Sequence, residues 1–285
     1  MSKVTVVTDS TAYIPNDILE DLNIQVIPLH VVWGDKVYED NVNLKSDDFY
    51  PMLKAAKNLP TTSQPSPKEF MNLYQPLLEK GHKIISTHIS SGISGTINSA
   101  MQAKEMLKTE DIAVFDSTTS GMALGFVTMA VARAAKQGAD FKTCQEITQK
   151  SIDNVDVYFM VNTLEYLHKG GRIGGASALL GSALDLKPIL CFKDGEITSY
   201  EKVRTKKKAI RRIIEISKEK IGDKRPIHFG IMQVEAEADA DLVKQALEES
   251  YSAEDIQDMR IVGLSPVIGT HTGPGVIAIS FLAGM

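Results

Sequence analysis

The sequence predicts an α/β protein with two domains. The first is built on a mainly parallel sheet with helices on both faces, and the second is an α/β domain with a mixed sheet. Three observations predict this. The first half runs three times through an apolar strand, a Ser/Thr-rich turn and a helix, the order that lays strands parallel and packs helices outside them. The second half interleaves hairpin signals with helices. The chain has 285 residues, 43% hydrophobic and 24% charged, which fills one large or two ordinary domains around a core and keeps them soluble.

In chain order, "VTVVTDST" reads as a strand and "IPNDILEDL" as a helix, with Pro15 near its start, where a missing N–H is tolerated. The connection from Asn41 to Pro67 carries a short helix, "SDDFYPMLKAA", and then "LPTTSQPSP". Pro60, Pro65 and Pro67 stiffen that piece into extended geometry, so its hydroxyls are presented by a rigid loop. "KIIST" ends like a strand and passes through "HISSGISG" into a helix near Thr96, with Ile97, Ala100, Ala103 and Leu107 on one face. "IAVFDSTTSG" runs into "MALGFVTMAVARAAKQG", a helix apolar almost all round, hence buried, and stopped by Gly138. In such sheets ligands sit beyond the carboxyl ends of the strands, here "TDST", "ISSGISGT" and "DSTTSG".

The pattern changes near Asn154, which places the domains at residues 1–154 and 155–285. "VYFMVNTLEYLHKGGRIG" combines a strand with a Gly-rich turn, and "KPILCFKDGEITSYEKV" is a hairpin turning at Asp194-Gly195. "AIRRIIEISKEKI" is a helix, and "IHFGIMQV" and "DADLVKQALEESY" give another strand and helix. "MRIVGLSPVIG" and "GVIAISFLAG" are expected as strands flanking the loop "THTGPG". No formal charge occurs from Ile261 to Met285, but Gly263, Pro266, Gly269, Gly273, Pro274 and Gly275 break that stretch into pieces too short to span a membrane.

A net charge of −5 argues against general nucleic-acid binding. Cys144 and Cys191 lack metal-ligand spacing, and so few cysteines point to a reducing cytoplasm rather than a disulfide scaffold. "MSKVTVVTDS" enters a strand directly, so no signal peptide is expected. His30, His88, His168 and His228 show no metal-binding spacing, so no metal site is expected.

The turn Ser90–Thr96 resembles a phosphate loop only superficially, because the position after Gly95 is Thr96 rather than the lysine that holds a polyphosphate. Its residues either make the turn and cap the helix or offer hydroxyls and N–H groups to a singly charged anion, for which a carboxylate is the natural candidate. Ser94 also permits a hydrolase reading, with His271 as base and Asp9 or Asp116 orienting it. However, "GISGT" lacks the last glycine of a nucleophile elbow, and the two aspartates have an alternative role capping turns. His271, flanked by glycine and hydroxyls, is either structural or a donor to an anion. Arg172 in "KGGRIGG" either braces the two halves or reaches a ligand. The basic run "KVRTKKKAIRR" is either a solvated helix face or a docking patch for an acidic or phosphate-bearing partner.

Taken together, "TDST", "TTSQPSP", "ISSGISGTINSA", "DSTTSGMALG", "YLHKGGRIG", "RTKKKA" and "HTGPG" resemble the DegV family of bacterial fatty-acid-binding proteins, in the family's order and over essentially the whole chain. The resemblance implies a two-domain α/β protein that buries one long-chain fatty acid between its domains. It implies no catalysis and no cofactor of its own. It also implies that the carboxylate is presented to a separate fatty acid kinase, which makes an acyl phosphate with ATP for phospholipid metabolism. Carried over by position, Thr62 and Ser94 are the hydroxyl donors to the carboxylate, the N–H of Gly95 supports them and His271 completes the site, with Ser63 and Thr270 as second choices. Arg204 resembles the position that engages the kinase. The expected molecule is a cytoplasmic monomer without an integral membrane segment, in at most transient contact with a membrane surface. The competing reading is a Ser-His acyl ester hydrolase using Ser94 and His271. The helices "MALGFVTMAVA" and "ASALLGSAL" (176–184) are the candidates for lining the tail, because their small residues leave room.

Overall fold

The computed structural model describes residues 3–181 and 186–285. Its first half contains β1 (Val4–Asp9), α1 (Asn16–Leu22), β2 (Gln25–Ile27), β3 (His30–Trp33), β4 (Lys36–Glu39), α2 (Ser46–Ala55), β5 (Thr61–Ser63), α3 (Pro67–Glu79), β6 (Lys83–His88), α4 (Thr96–Leu107), β7 (Ile112–Asp116), α5 (Met122–Lys136) and α6 (Phe141–Ile152). The second half contains β8 (Val155–Met160), α7 (Glu165–Lys169), β9 (Ile189–Lys193), β10 (Glu196–Glu201), α8 (Lys206–Ile221), β11 (Ile227–Gln233), α9 (Glu237–Glu248), β12 (Ile256–Gly263), α10 (Pro266–Thr272) and β13 (Ile277–Ala283).

The three strand–turn–helix units form a four-stranded parallel sheet in the order β2-β1-β6-β7. One face is covered by α3 and α4, whose Phe70, Tyr74, Ala100 and Ala103 pack on Val7, Ile84 and Ile112. Local chemistry starts α3 cleanly: Ser66 and Glu69 form a reciprocal capping box and Pro67 occupies the first turn. The other face receives α5 and α6.

The second sheet has six strands in the order β10-β9-β8-β13-β11-β12 and is mixed, with β11 and β12 parallel and the other neighbours antiparallel. Its β9–β10 hairpin turns at Asp194-Gly195, both at positive φ (52° and 80°), the geometry that an Asp-Gly pair adopts most readily. One face is covered by α8 and α9. The other faces α5, which also packs on β1 and β6 of the first sheet. Contact with two sheets explains why α5 is apolar all round and buried continuously from Met122 to Met129. One hydrophobic core runs through this middle layer, from Val6 and Ile85 to Phe159, Leu190 and Ala278.

Two features differ from the sequence expectation. The stretch Gln25–Glu39 contributes three short strands, and β3, β4 and β5 make a small antiparallel sheet in the order β4-β3-β5. "LPTTSQPSP" is therefore extended as expected, but part of it is a paired strand rather than a loop. His271 does not lie in a loop between two strands but on the helix α10. Ser265 and Pro266 supply a start signal for that helix and Gly273, at φ 68°, its stop. Among the described residues no helix is long and apolar enough to cross a membrane.

Candidate functional site

A narrow cavity lies between the two sheets, at the carboxyl ends of β1 and β6, and holds about 820 Å³ of empty space with its mouth included. Most of its wall is apolar: Ile89 and Ile93 from the turn after β6, Val157, Phe159, Phe192, Ile197 and Ala278 from the six-stranded sheet, Met232 from β11, and Val267 and Ile268 from α10. Among the described residues, neither segment expected to line the tail contributes to the wall. No residue of α5 faces the cavity, because both its sides are taken by sheets, and Gly121 just before it is the nearest contribution. Of the second candidate, Gly174–Leu179 is a 3₁₀ turn absent from the cavity wall, and residues 182–184 lie outside the described residues.

At one end the wall turns polar, with Thr62, Ser63, Gln64, Ser94, Arg172 and His271 linked through the Thr62–His271 contact, the touch of Gln64 on Gly95 and the bond of Arg172 to Ile93; Ser120 and Thr272 are the other polar residues of the wall. Thr62 is the middle residue of β5, opposite Val31, and the burial of Thr61, Thr62 and Ser63 alternates exposed, half-buried, exposed, as a strand's period of two requires. Its hydroxyl lies 2.7 Å from Nε2 of His271. Ser94 precedes α4 and its hydroxyl lies 2.9 Å from the Thr96 hydroxyl, while the Thr96 N–H donates to it at 3.3 Å. Gly95 is the cap of α4 and is not part of the cavity wall. A Cβ at Gly95 would lie 2.8 Å from Nε2 of Gln64, so the two loops touch there. Thr270 is buried and donates its hydroxyl to the Pro266 carbonyl one helical turn back, at 2.9 Å, outside the cavity wall.

His271 is the electrostatic centre of this end. Burial, and then the Arg172 charge, push its pKa from 6.5 down to about 4, so the ring is neutral at pH 7. Its Nδ1 is buried without a hydrogen-bond partner among the described residues. The ring edge lies against Gly170, where a Cβ would sit 2.1 Å from Nδ1, a close approach that only glycine permits. Arg172 donates from Nε to the Ile93 carbonyl at 3.1 Å and from Nη1 to the Gly170 carbonyl at 2.7 Å. It therefore ties the two halves together at the cavity, and its charge also reaches His271.

A second polar cluster, not anticipated from sequence, holds the start of α10. The buried Asp40 accepts from the Ser10 hydroxyl at 2.7 Å and from the Val267 N–H at 3.0 Å. Burial raises its pKa to about 6. The Ser265 N–H donates to the Tyr13 hydroxyl at 3.1 Å, and the Tyr50 hydroxyl donates to the Leu264 carbonyl at 3.0 Å. These bonds fix the helix that carries His271 to the first half of the chain.

Among the described residues no hydrogen bond joins Ser94 to His271, or His271 to Asp9 or Asp116. Asp9 accepts from the N–H groups of Thr11 and Ile89 and contacts His88, and Asp116 accepts from the N–H groups of Thr118 and Ser91. Both acids organise the turns at their strand ends. The Ser94 hydroxyl is engaged with Thr96, and Nε2 of His271 with Thr62. Arg204 lies far along the chain on an exposed turn, just before Thr205 caps α8.

A family model described as "Uncharacterised protein, DegV family" matches residues 3–284. A DegV domain-containing protein of Listeria monocytogenes is 39% identical over 284 residues, 98% of each chain. Among solved structures, a fatty-acid-binding DegV family protein from Thermus thermophilus superposes with a TM-score of 0.92 at 30% identity, covering 99% of both chains. DegV of Bacillus subtilis, described as a fatty acid binding protein, superposes with a TM-score of 0.90 at 37% identity, covering 99% of this chain and 100% of that one. With a match from end to end in sequence and in fold, the chain belongs to the DegV family.

Proposed function

We propose that this protein binds one long-chain fatty acid in the cavity between its sheets and presents the carboxylate to a separate ATP-dependent kinase. The observation that supports the reading is a mostly apolar cavity whose wall includes the hydroxyls of Thr62 and Ser94 and the His271 imidazole, drawn from distant parts of the chain. The fatty acid binding described for the Thermus thermophilus and Bacillus subtilis relatives supports it. An unpaired buried carboxylate is costly, and hydroxyl and imidazole donors offset that cost without a formal charge in direct contact. A chain of about 15 methylenes gains roughly 0.8 kcal/mol each on burial, on the order of 12 kcal/mol before ordering costs. The tail therefore supplies affinity and the head group supplies register.

A neutral anchor also leaves the carboxylate nucleophilic. Its oxygen forms a bond to the γ-phosphorus of ATP while the bond to ADP breaks, giving an acyl phosphate and ADP. A bidentate arginine clamp would oppose that attack, and Arg172 has Nε and Nη1 turned to backbone carbonyls instead. In this reading Ser63 is the secondary donor on the cavity wall, Gly95 and Thr270 act from behind it by holding the Ser94 turn and α10, and Arg204 docks the kinase. The first turn of α8 supports a docking role for the basic run. It holds no acid; Lys206 pairs with Asp239 of α9, which leaves Lys207 and Lys208 opposed by the helix dipole without an acidic partner among the described residues. The test is reconstitution with a purified kinase of this type. Arg204→Glu should retain the fatty acid and lose acyl-phosphate formation, and unchanged formation would remove the docking role. The protein alone should neither hydrolyse acyl esters nor be labelled at Ser94 by a fluorophosphonate, and labelling there would favour the hydrolase.

A further inference from the structure

A second depression adjoins the carboxylate end of the cavity. Thr62, Arg172 and His271 line both, so these three residues form the wall between them. Its outer part is made by Lys57, Asn58, Leu59, Pro60 and Thr61 from the link between α2 and β5, and by Lys169 and Gly170 at the end of α7. Three cations line this groove and no Asp or Glu among the described residues does, in a chain of net charge −5. Lys57 has no acidic partner among the described residues, and Lys169 pairs with Glu165, which is outside the groove wall. Asn58 and Thr61 add neutral donors.

We propose that this groove is a phosphoryl subsite, which holds the phosphate group of an acyl phosphate whose chain stays in the cavity. The inference rests on the fatty acid reading above and assigns the neighbouring surface. A group joined to the carboxylate oxygen lies next to Thr62, Arg172 and His271 in this reading, and those same residues line this groove. The carboxylate carries one negative charge and is met by neutral donors. A phosphoryl group carries close to two, and flexible lysine ammonium groups suit its several oxygens. The product of phosphoryl transfer is thereby held where it forms, and the fatty acid itself does not use the lysines.

The test uses the double variant Lys57→Ala/Lys169→Ala with three probes: palmitate, inorganic phosphate, and the phosphonate analogue of palmitoyl phosphate in which a methylene replaces the bridging oxygen. The expected result is that the variant loses about fivefold in phosphonate affinity, as for two partly exposed charge contacts, and keeps palmitate affinity within about twofold. The phosphonate loss should shrink with added salt. Equal phosphonate affinity in both proteins overturns the subsite, and so does an equal loss for palmitate. Inorganic phosphate bound as tightly as the phosphonate, with the same lysine dependence, overturns a subsite for a tethered phosphoryl group in favour of one for free phosphate. Failure of the wild type to bind palmitate overturns the fatty acid reading, and this inference with it.

Discussion

Replacing His271 with Gln should change how stability depends on pH. His271 has an ordinary value of 6.5 and is held at about 4 in the fold, by burial first and Arg172 second. Below pH 6.5 the unfolded chain takes up a proton that the native imidazole refuses, so the native state loses stability as pH falls towards 4. The loss totals about 3 kcal/mol over that window. Asp40 works in the opposite direction. Its value rises from 3.8 to about 6 on folding, so the native state binds its proton first and gains stability as pH falls from 6 to 4, again by about 3 kcal/mol. In the wild type the two groups nearly cancel. Glutamine keeps a donor and an acceptor beside Thr62 but does not titrate. The stability of the variant relative to wild type should therefore rise by about 3 kcal/mol between about pH 7 and about pH 4. Urea unfolding at fixed temperature across that range measures it. A wild-type-to-variant difference that stays constant with pH would refute the argument that His271 is desolvated and neutral.

Three other outcomes follow from the same geometry. Thr62→Val and Ser94→Ala should each weaken fatty acid binding by about tenfold to a hundredfold, the size of a lost hydrogen bond to a charged acceptor, as read by titration of delipidated protein. Gly170→Ala brings a Cβ to 2.1 Å from Nδ1 of His271, and should lower stability by about 1–3 kcal/mol and weaken binding as the ring is displaced from Thr62. Lys207→Glu supplies the acid that the first turn of α8 lacks. It should raise stability by about 0.5–1 kcal/mol in chemical denaturation at low salt while slowing kinase-coupled turnover.

Much of the fold is legible in the sequence because its signals are local. β1, β6 and β7 are apolar runs followed by turn residues, and Asp194-Gly195 specifies its hairpin by backbone conformation alone. What escaped is short or non-local. β2 to β5 have three or four residues each, too few for a period to register. The helix under His271 was hidden by a charge-free apolar run, although Ser265-Pro266 and Gly273 mark its ends. At the polar end, motifs singled out Thr62, Ser94 and His271, and the structure lines one cavity with all three. Gln64 and Ser120 share that wall, and sequence alone did not separate them from ordinary turn residues. The tail-facing side chains come from separate strands and turns, and no local pattern in one sequence brings Val157, Phe192 and Met232 together. Asp40 is likewise unreadable in isolation, since its role depends on Ser10 and on Val267, far along the chain.

Mass spectrometry under native conditions, on protein purified gently from cells, addresses the main claim most directly. The slot with its hydroxyl-lined end predicts a stoichiometric adduct with the mass of a single long-chain fatty acid, released on denaturation. A spectrum showing only the bare polypeptide, from protein that also takes up no fatty acid when it is offered, would contradict the account.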